Sequence, residues 1–406
     1  MTASTANDVA ASAKALTNWL ERLEHRAPES HIKLGLERVQ TVYGRLSLDL
    51  SSSCIITVGG TNGKGSTVRL LEQMYCAAGH SCLAYTSPHL LTFAERYRLN
   101  GDCVHDRLIV DALATVERAR QDTFLTYFEQ VTLAAFWLAD RLKPDVLLLE
   151  VGLGGRLDAV NAIDADVTII TSIGLDHQAW LGPTRASIGL EKAGIARAGV
   201  PLILAEKHPP DGMLKWIDQV GARLLRAGRE LNWRWTSRGV NIRIQNRQGR
   251  FEFKHIIVGL AGRHQAANLT AAIAAVLELQ SSCPVSDVQI RIGAARTRLP
   301  GRFEQVLDEP PCYIDVAHNL ASVRALRSTL QGYLGRTLAV FAALDDKPVA
   351  RIVMSLNDVI DQWYVAGLPG PRGRSSEQTL AGLQHAAVKG EVIAVKSVPE
   401  AIDLAL

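Results

Sequence analysis

The chain has 406 residues, of which 47% are hydrophobic and 21% charged, and its formal net charge is +3. That length exceeds one ordinary core and predicts two domains. The near-balanced charge excludes an electrostatic case for nucleic acid or anionic membrane as partner.

The first thirty residues read as a polar helix carrying Leu16, Trp19, Leu20 and Leu23, without the apolar core of a signal peptide. No apolar run approaches the roughly 18 residues of a membrane span. The six cysteines, at 54, 76, 82, 103, 283 and 312, form no C-x-x-C pair. They read as reduced thiols of a cytoplasmic protein, not as zinc ligands or a disulfide framework.

A loop from Ile32 to Val39 leads into a second helix. Residues 54–58 are apolar and rich in β-branched side chains, which predicts a buried strand. Gly59, Gly60, Gly63 and Gly65 follow, with Lys64 at the mouth of a helix whose Leu71, Met74, Tyr75 and Ala78 share one face and whose stop is Gly79. Strand, glycine-rich turn, lysine, hydroxyl and helix make a phosphate cradle. Backbone N–H groups and the helix dipole favour an anion, Lys64 adds charge, and Ser66 or Thr67 can reach a metal ion. The spacing departs from the strict Walker pattern, because Gly65 separates Lys64 from Ser66.

Strands are then expected at Cys82–Thr86, Asp145–Leu149, Asp166–Thr171 and Pro201–Leu204, alternating with helices in a parallel sheet buried on both faces. Ligands bind such sheets beyond the carboxyl ends of the strands. The cradle, Ser87, Glu150 and His177 all fall there. Glu150 reads as a magnesium ligand or water-positioning group, with a structural salt bridge as the alternative. The loop Gly152–Asp158 is by itself a weak signal, His177 reads equally as a ligand or a hydrogen-bonding group, and Lys192 reads as a solvated charge at a helix end.

From Leu231 to Val258 the pattern shifts to short alternating strands with a turn at 246–249, a small antiparallel flap appended to the main sheet. An alanine-rich helix runs from about Gln265 to Leu279. Leu299-Pro300-Gly301-Arg302 breaks the pattern, which places the domains at 1–298 and 299–406. The second restarts the alternation with strands at 312–314, 337–341, 362–365 and 391–394. Arg302 and Asp315-Val316-Ala317-His318-Asn319 are its polar candidates, although a linker arginine is ordinarily a surface residue.

Seven segments occur in order: Gly60–Ser66, Thr86–His89, Glu150–Asp158, Leu175–His177, Glu191–Gly194, Leu299–Arg302 and Asp315–Asn319. The set resembles the folylpolyglutamate synthase/dihydrofolate synthase family, within the Mur-type ATP-dependent amide ligases, from about residue 15 to the end. Thr126-Tyr127-Phe128-Glu129 further resembles the bacterial bifunctional type. The resemblance implies a P-loop parallel-sheet ATPase domain with an antiparallel flap, plus a smaller Rossmann-like α/β glutamate-ligase domain.

It also implies roles. Gly60, Thr61, Asn62, Gly63, Lys64, Gly65, Ser66 and Thr67 would hold the ATP phosphates, with Asn268, Arg302 and Asp315 as further nucleotide contacts. Ser87, Glu150 and His177 would bind two Mg2+ ions, helped by a carbamylated Lys192, with K+ as a further candidate cofactor. Thr126, Tyr127, Phe128 and Glu129, with Leu157, Asp158 and Ala159, would line a dihydropteroate or folate site on which the loop before Leu34 closes. His318 would lie near the incoming L-glutamate. Lys64, Lys192, His177, Arg302 and His318 are thus the implied catalytic set. The implied activity is ligation of L-glutamate through an acyl phosphate, by a monomer acting on small molecules without nucleic acid or membrane.

Two positions depart from the family pattern, Gly59 in place of Ala and Leu320 in place of Pro. Beyond Leu406 the family normally continues into a final strand with a Gly-Ser turn and a closing helix, so the second domain is expected to stop short of that pattern. The competing expectations are a monofunctional folylpolyglutamate synthase and a nucleotide-binding homologue without catalysis. A cell-wall Mur ligase would carry a UDP-binding domain before the cradle, and only about fifty residues precede it.

Overall fold

The computed structural model describes residues 3–333, 335–370, 372–386 and 388–406. The chain forms two compact units, Met1–Gly259 with Gln265–Arg298, and Leu260–His264 with Leu299–Leu406.

The first unit opens with helices α1 (Ala3–Arg26) and α2 (Glu37–Leu46). Strand β1 (Cys54–Gly59) then runs into α3 (Lys64–Ala77), followed by β2 (Cys82–Tyr85), β3 (Tyr97–Leu99) and β4 (Asp102–Cys103). Helices α4 (Asp106–Arg120) and α5 (Tyr127–Leu142) precede β5 (Val146–Glu150). Next come β6 (Val167–Ile170), α6 (Gln178–Leu181), α7 (Arg185–Ala193), β7 (Pro201–Leu204), α8 (Asp211–Val220) and β8 (Arg223–Arg226).

These strands form one eight-stranded sheet in the order β4-β3-β2-β5-β1-β6-β7-β8. Strands β2, β5, β1, β6, β7 and β8 pair in parallel, and every residue of β2, β5, β6 and β7 is buried, as continuous apolar runs require. Strands β3 and β4 were not read from the sequence. They add an antiparallel edge, because Asn100-Gly101 takes positive φ at both residues (55° and 95°) and turns the chain back in a two-residue hairpin.

The flap is a sheet of its own rather than an extension of the main one. It consists of β9 (Leu231–Thr236), β10 (Gly239–Asn246) and β11 (Gly249–Ile256), in the order β11-β10-β9. Val240, Ile242 and Ile244 alternate inward along β10. Beside this sheet runs α9 (Gln265–Glu278), whose alanines let it pack closely, and α10 (Asp287–Arg296) lies on α3.

The second unit holds β12 (Glu304–Leu307), β13 (Cys312–Ile314), α11 (Leu320–Leu330), β14 (Leu338–Phe341), α12 (Val349–Leu356), β15 (Gln362–Ala366), α13 (Ser376–His385), β16 (Glu391–Val395) and α14 (Val398–Ala405). Strands β14, β15 and β16 form a parallel sheet in that order, over a core of Val323, Ile352, Val353, Trp363 and Leu383. The sequence reading has 312–314 opening this alternation; instead β13 pairs antiparallel with β12.

Candidate active site

Strand β1 leaves the sheet at Gly59, and the turn that follows is held by the end of its neighbour β6. The Thr171 hydroxyl lies 2.7 Å from the Asn62 carbonyl oxygen and 3.2 Å from that of Gly59. Ser172 Oγ donates to the Asn62 carbonyl at 3.0 Å and accepts from the Asn62 N–H at 2.9 Å. Thr61 N–H donates to the Ser172 carbonyl at 2.8 Å, and Gly174 N–H donates to Thr61 Oγ1 at 3.0 Å. Thr171 and Ser172, which brace the turn, are residues that sequence reasoning missed. Their signal was available, since two hydroxyl residues at the end of an apolar strand follow the same logic that singled out Glu150.

The turn admits only glycine at two positions. Gly60 has φ +140° and Gly63 has φ +89°. A Cβ would meet Thr171 Oγ1 at 1.9 Å from Gly60, and Asn268 Oδ1 at 2.4 Å from Gly63. Asn268 of α9 therefore lies against Gly63 of the turn.

Gly63 is also the cap of α3, so the cap position supplies no side chain to accept from the N–H groups of the first turn, and no acidic residue lies in that turn. An uncapped helix start with its positive dipole end is a site for an anion. Lys64 Nζ donates to the carbonyl oxygens of Gly60 (3.2 Å) and Thr61 (3.4 Å), which keeps its charge over the turn. Thr67 is buried and bonds the Gly63 carbonyl at 2.9 Å, so its hydroxyl serves the helix; Ser66 is also buried.

Glu150 ends β5 as a buried carboxylate, and the Ser87 N–H points at its Oε2 from 3.4 Å. Among the described residues no three His, Cys, Asp or Glu side chains converge as a metal-binding group. Mg2+ keeps several waters and takes phosphate oxygens, needing only one or two protein carboxylates. A buried strand-end carboxylate beside an anion cradle fits that requirement. His177 is exposed, has φ +49° and caps α6; its N–H donates to Asp176 Oδ1 at 3.0 Å.

Lys192 is not the solvated charge that its helix-end position suggests. Ile188 and Lys192 share the inward face of α7, and Lys192 is only 4% exposed. Burial pushes its ammonium down to about 7, the Lys64 charge pushes the same way, and Asp176 and Asp158 oppose both. The loop Gly152–Asp158 secures that end of α7. Arg156 N–H donates to the Glu191 carbonyl at 2.8 Å, its guanidinium pairs with the Glu191 carboxylate at 2.8 Å, and Asn161 Nδ2 donates to the Gly194 carbonyl at 3.1 Å. Asp158, buried, accepts from the N–H groups of Leu153 (2.7 Å) and Val160 (3.0 Å). Burial still raises it to about 6.

Thr126 and Glu129 cap α5 reciprocally: Glu129 N–H donates to Thr126 Oγ1 at 3.3 Å, and Thr126 N–H donates to Glu129 Oε2 at 2.8 Å. The Glu129 carboxylate also takes both arms of Arg38, at 2.6 and 3.3 Å. Its charge is thus engaged in building the helix start. The Phe128 ring lies where a Cβ on Gly152 would be, 2.5 Å from it. Tyr127 packs under the buried Arg96, whose guanidinium donates to Glu29 Oε1 (2.5 Å) and His89 Nδ1 (2.9 Å). Arg96 had no sequence signal. Glu29 lies in the loop between α1 and α2, whose Gly35 N–H reaches the Leu157 carbonyl at 3.5 Å. Leu157 is half-buried and Ala159 buried, in a short turn capped by Asp158.

Charge thus links Lys64, Lys192, Asp158 and Asp176, and direct contacts link the cradle to Asn268 and Ser87 to Glu150. Arg302, Asp315 and His318 belong to the second unit. There the Asp315 carboxylate accepts from the N–H groups of Phe303 (2.9 Å) and Ala317 (2.8 Å), and His318 Nδ1 lies 2.9 Å from the Val316 carbonyl oxygen.

Two families match the chain: the Mur ligase middle domain over residues 58–276, and the Mur ligase glutamate ligase domain over 301–406. A curated relative, the dihydrofolate synthase/folylpolyglutamate synthase of Escherichia coli (strain K12), is 42% identical over 374 residues, covering 92% of this chain and 86% of its own. A solved structure of E. coli FolC in complex with DHPP and ADP superposes with a TM-score of 0.89 at 41% identity, covering 96% of this chain and 91% of that one. A bifunctional folylpolyglutamate synthase/dihydrofolate synthase with Mn, AMPPNP and L-glutamate bound gives a TM-score of 0.86 at 38% identity, covering 96% and 91%.

Proposed function

The chain belongs to the dihydrofolate synthase/folylpolyglutamate synthase family of Mur ligases, and from that premise we propose how its residues carry out the family's reaction. It is an ATP-dependent ligase that adds L-glutamate to dihydropteroate, giving dihydrofolate, and to the glutamate tail of reduced folates. The acceptor carboxylate takes the γ-phosphoryl group of ATP to become an acyl phosphate, and the glutamate amine displaces phosphate to form the amide.

The observation that carries the assignment of roles is the uncapped start of α3, with Lys64 over the turn and Glu150 and Lys192 buried at the ends of adjoining elements. The N–H groups from Gly60 to Thr67 hold the phosphates, and Lys64 turns from its loop carbonyls to the transferring group, where its charge offsets developing negative charge. Asn268 holds Gly63 in place. Ser87, Glu150, His177 and a carbamylated Lys192 would hold divalent metal, which when bound would supply charge neutralisation on the phosphates. The start of α5, Thr126 to Glu129, and the turn Leu157 to Ala159 line the acceptor site. Glu129 shapes that site through Arg38, and Phe128 presents its ring from the surface of Gly152. In the second unit, Arg302 and Asp315 serve the nucleotide and His318 the glutamate. We read 1–298 as the ATP-binding region and 299–406 as the glutamate-ligase region. The free cysteines fit a reducing, cytoplasmic setting, and among the described residues no helix is long and apolar enough to cross a membrane.

The test is glutamate-dependent ADP release, measured with dihydropteroate and with a reduced folate as separate acceptors. Both should support release, and Lys64→Ala should abolish it with either. Turnover in that variant equal to wild type would overturn these roles.

A further inference from the structure

At the opposite ends of the strands from the cradle, two thiols touch. Cys54 opens β1 and is half-buried; Cys283 lies between α9 and α10 and is 3% exposed. Their Sγ atoms are 3.1 Å apart, closer than two sulfurs in ordinary contact, and both cysteines are free. The register fixes the surroundings: Cys54 and Cys82 both lie opposite Val146, on either side of β5, and Cys283 Sγ is 3.7 Å from the neighbouring Asp145 carbonyl. Beside them the Tyr75 hydroxyl of α3 is buried with no hydrogen-bond partner among the described residues, close enough that Cys283, Cys82 and Cys54 all act on its charge. A buried donor lacking an acceptor is costly.

We propose that Cys54 and Cys283 are a reversible oxidative modification site, closing to a disulfide when the protein meets a peroxide. The Cys54 thiolate attacks the peroxide oxygen, forming an S–O bond and releasing water once the departing hydroxide is protonated. Cys283 sulfur then attacks Cys54 sulfur, expelling the hydroxyl as a second water. The two thiols lose two electrons in all and the peroxide gains them. Burial, then the hydrogen bond to Cys54, pushes the Cys283 thiol up to about 12, so the more accessible Cys54 meets the oxidant first. The second step needs no diffusion, because the partner is already in contact. The link would tie β1, which feeds the cradle, to the segment leaving α9, which carries Asn268.

The test treats the folded full-length protein with hydrogen peroxide, quenches in acid, unfolds, alkylates remaining thiols and maps peptides by mass. The expected result is a 54–283 linked peptide as the main product, with two of the six thiols protected and both recovered with dithiothreitol. It should form at least about tenfold faster in the folded protein than in urea, where pairing depends on chain collision. In Cys283→Ala, Cys54 should instead be trapped by dimedone as the sulfenic acid. If exposed Cys103 is consumed while Cys54 and Cys283 stay alkylatable, or if a different pair links in the folded protein, the proposal is overturned.

Discussion

Thr171 fills the space that a side chain on Gly60 would need: a Cβ there would lie 1.9 Å from Thr171 Oγ1. The same hydroxyl bonds the carbonyls of Gly59 and Asn62, so one threonine both excludes bulk from the turn and sets its two ends. The cradle is therefore not a free glycine loop. Its shape is imposed by the hydroxyl residues that follow β6.

Removing the Thr171 hydroxyl should leave the sheet intact and loosen the turn. Lost bracing of about 1–2 kcal/mol corresponds to roughly a tenfold weaker affinity for ADP. Thr171→Ser keeps the hydroxyl and should bind ADP like the parent. Isothermal titration of both variants decides the point, and equal affinities for Ala and Ser would assign the bracing to Ser172 alone.

The strands and the cradle were legible because they depend on local composition. Apolar runs such as 146–149 are buried on both faces, and their polar end residues are placed by the sheet rather than by long-range detail. Lys192 was not legible from spacing, since its burial depends on Arg156 and Asn161, some thirty residues upstream, gripping the end of α7. Arg96 was hidden for a related reason. A charged residue in a short turn carries no periodic signal, and its partners Glu29 and His89 come from two separate loops. The β3–β4 edge shows a different failure: Asn100-Gly101 is a strong turn signal, but strands of two and three residues are too short to show alternation.

Gly152 and Phe128 offer a way to disturb the acceptor side without touching nucleotide. In Gly152→Ala the new methyl would sit 2.5 Å from Phe128 Cζ, so the ring must leave its place. The KM for dihydropteroate should rise about tenfold or more, with ADP affinity unchanged. Steady-state kinetics with each acceptor, beside ADP titration, separates the two effects; a rise in the ATP KM alone would remove Phe128 from the acceptor site.

Lys192 should take up carbon dioxide. With its ammonium held down to about 7, roughly half the side chains are neutral at pH 7, where an ordinary lysine is almost wholly charged. Only the neutral amine adds CO2, losing a proton to give a carbamate. Protein equilibrated with 13C-bicarbonate should therefore show a carbamate resonance that is missing in Lys192→Gln, and that variant should lose about a hundredfold in ADP release. A resonance that persists in the variant would place the modification elsewhere.

Glu117 ties the end of α1, where the loop to α2 begins, to α4, and the tie should fail in acid. Its carboxylate accepts from Arg26 of α1 (2.6 Å) and from Arg120 of its own helix (2.5 Å), three residues before Glu29 in the first case. Burial raises its pKa, but the hydrogen bonds and charges of Arg120 and Arg26 more than reverse this and hold it down to about 2, against an ordinary 4.5. A folded-state value below the unfolded one contributes stability that is complete above about 4.5 and is lost as pH falls from there towards 2. After allowance for partial exposure the contribution is about 2 kcal/mol. Urea unfolding should therefore find Glu117→Gln less stable than the parent by about that amount at pH 7, with the gap closing as the pH approaches the folded-state value. A gap that stays constant with pH would mean that Glu117 acts by shape and not by charge, and Arg26 would then be held to α4 without an ionic contribution.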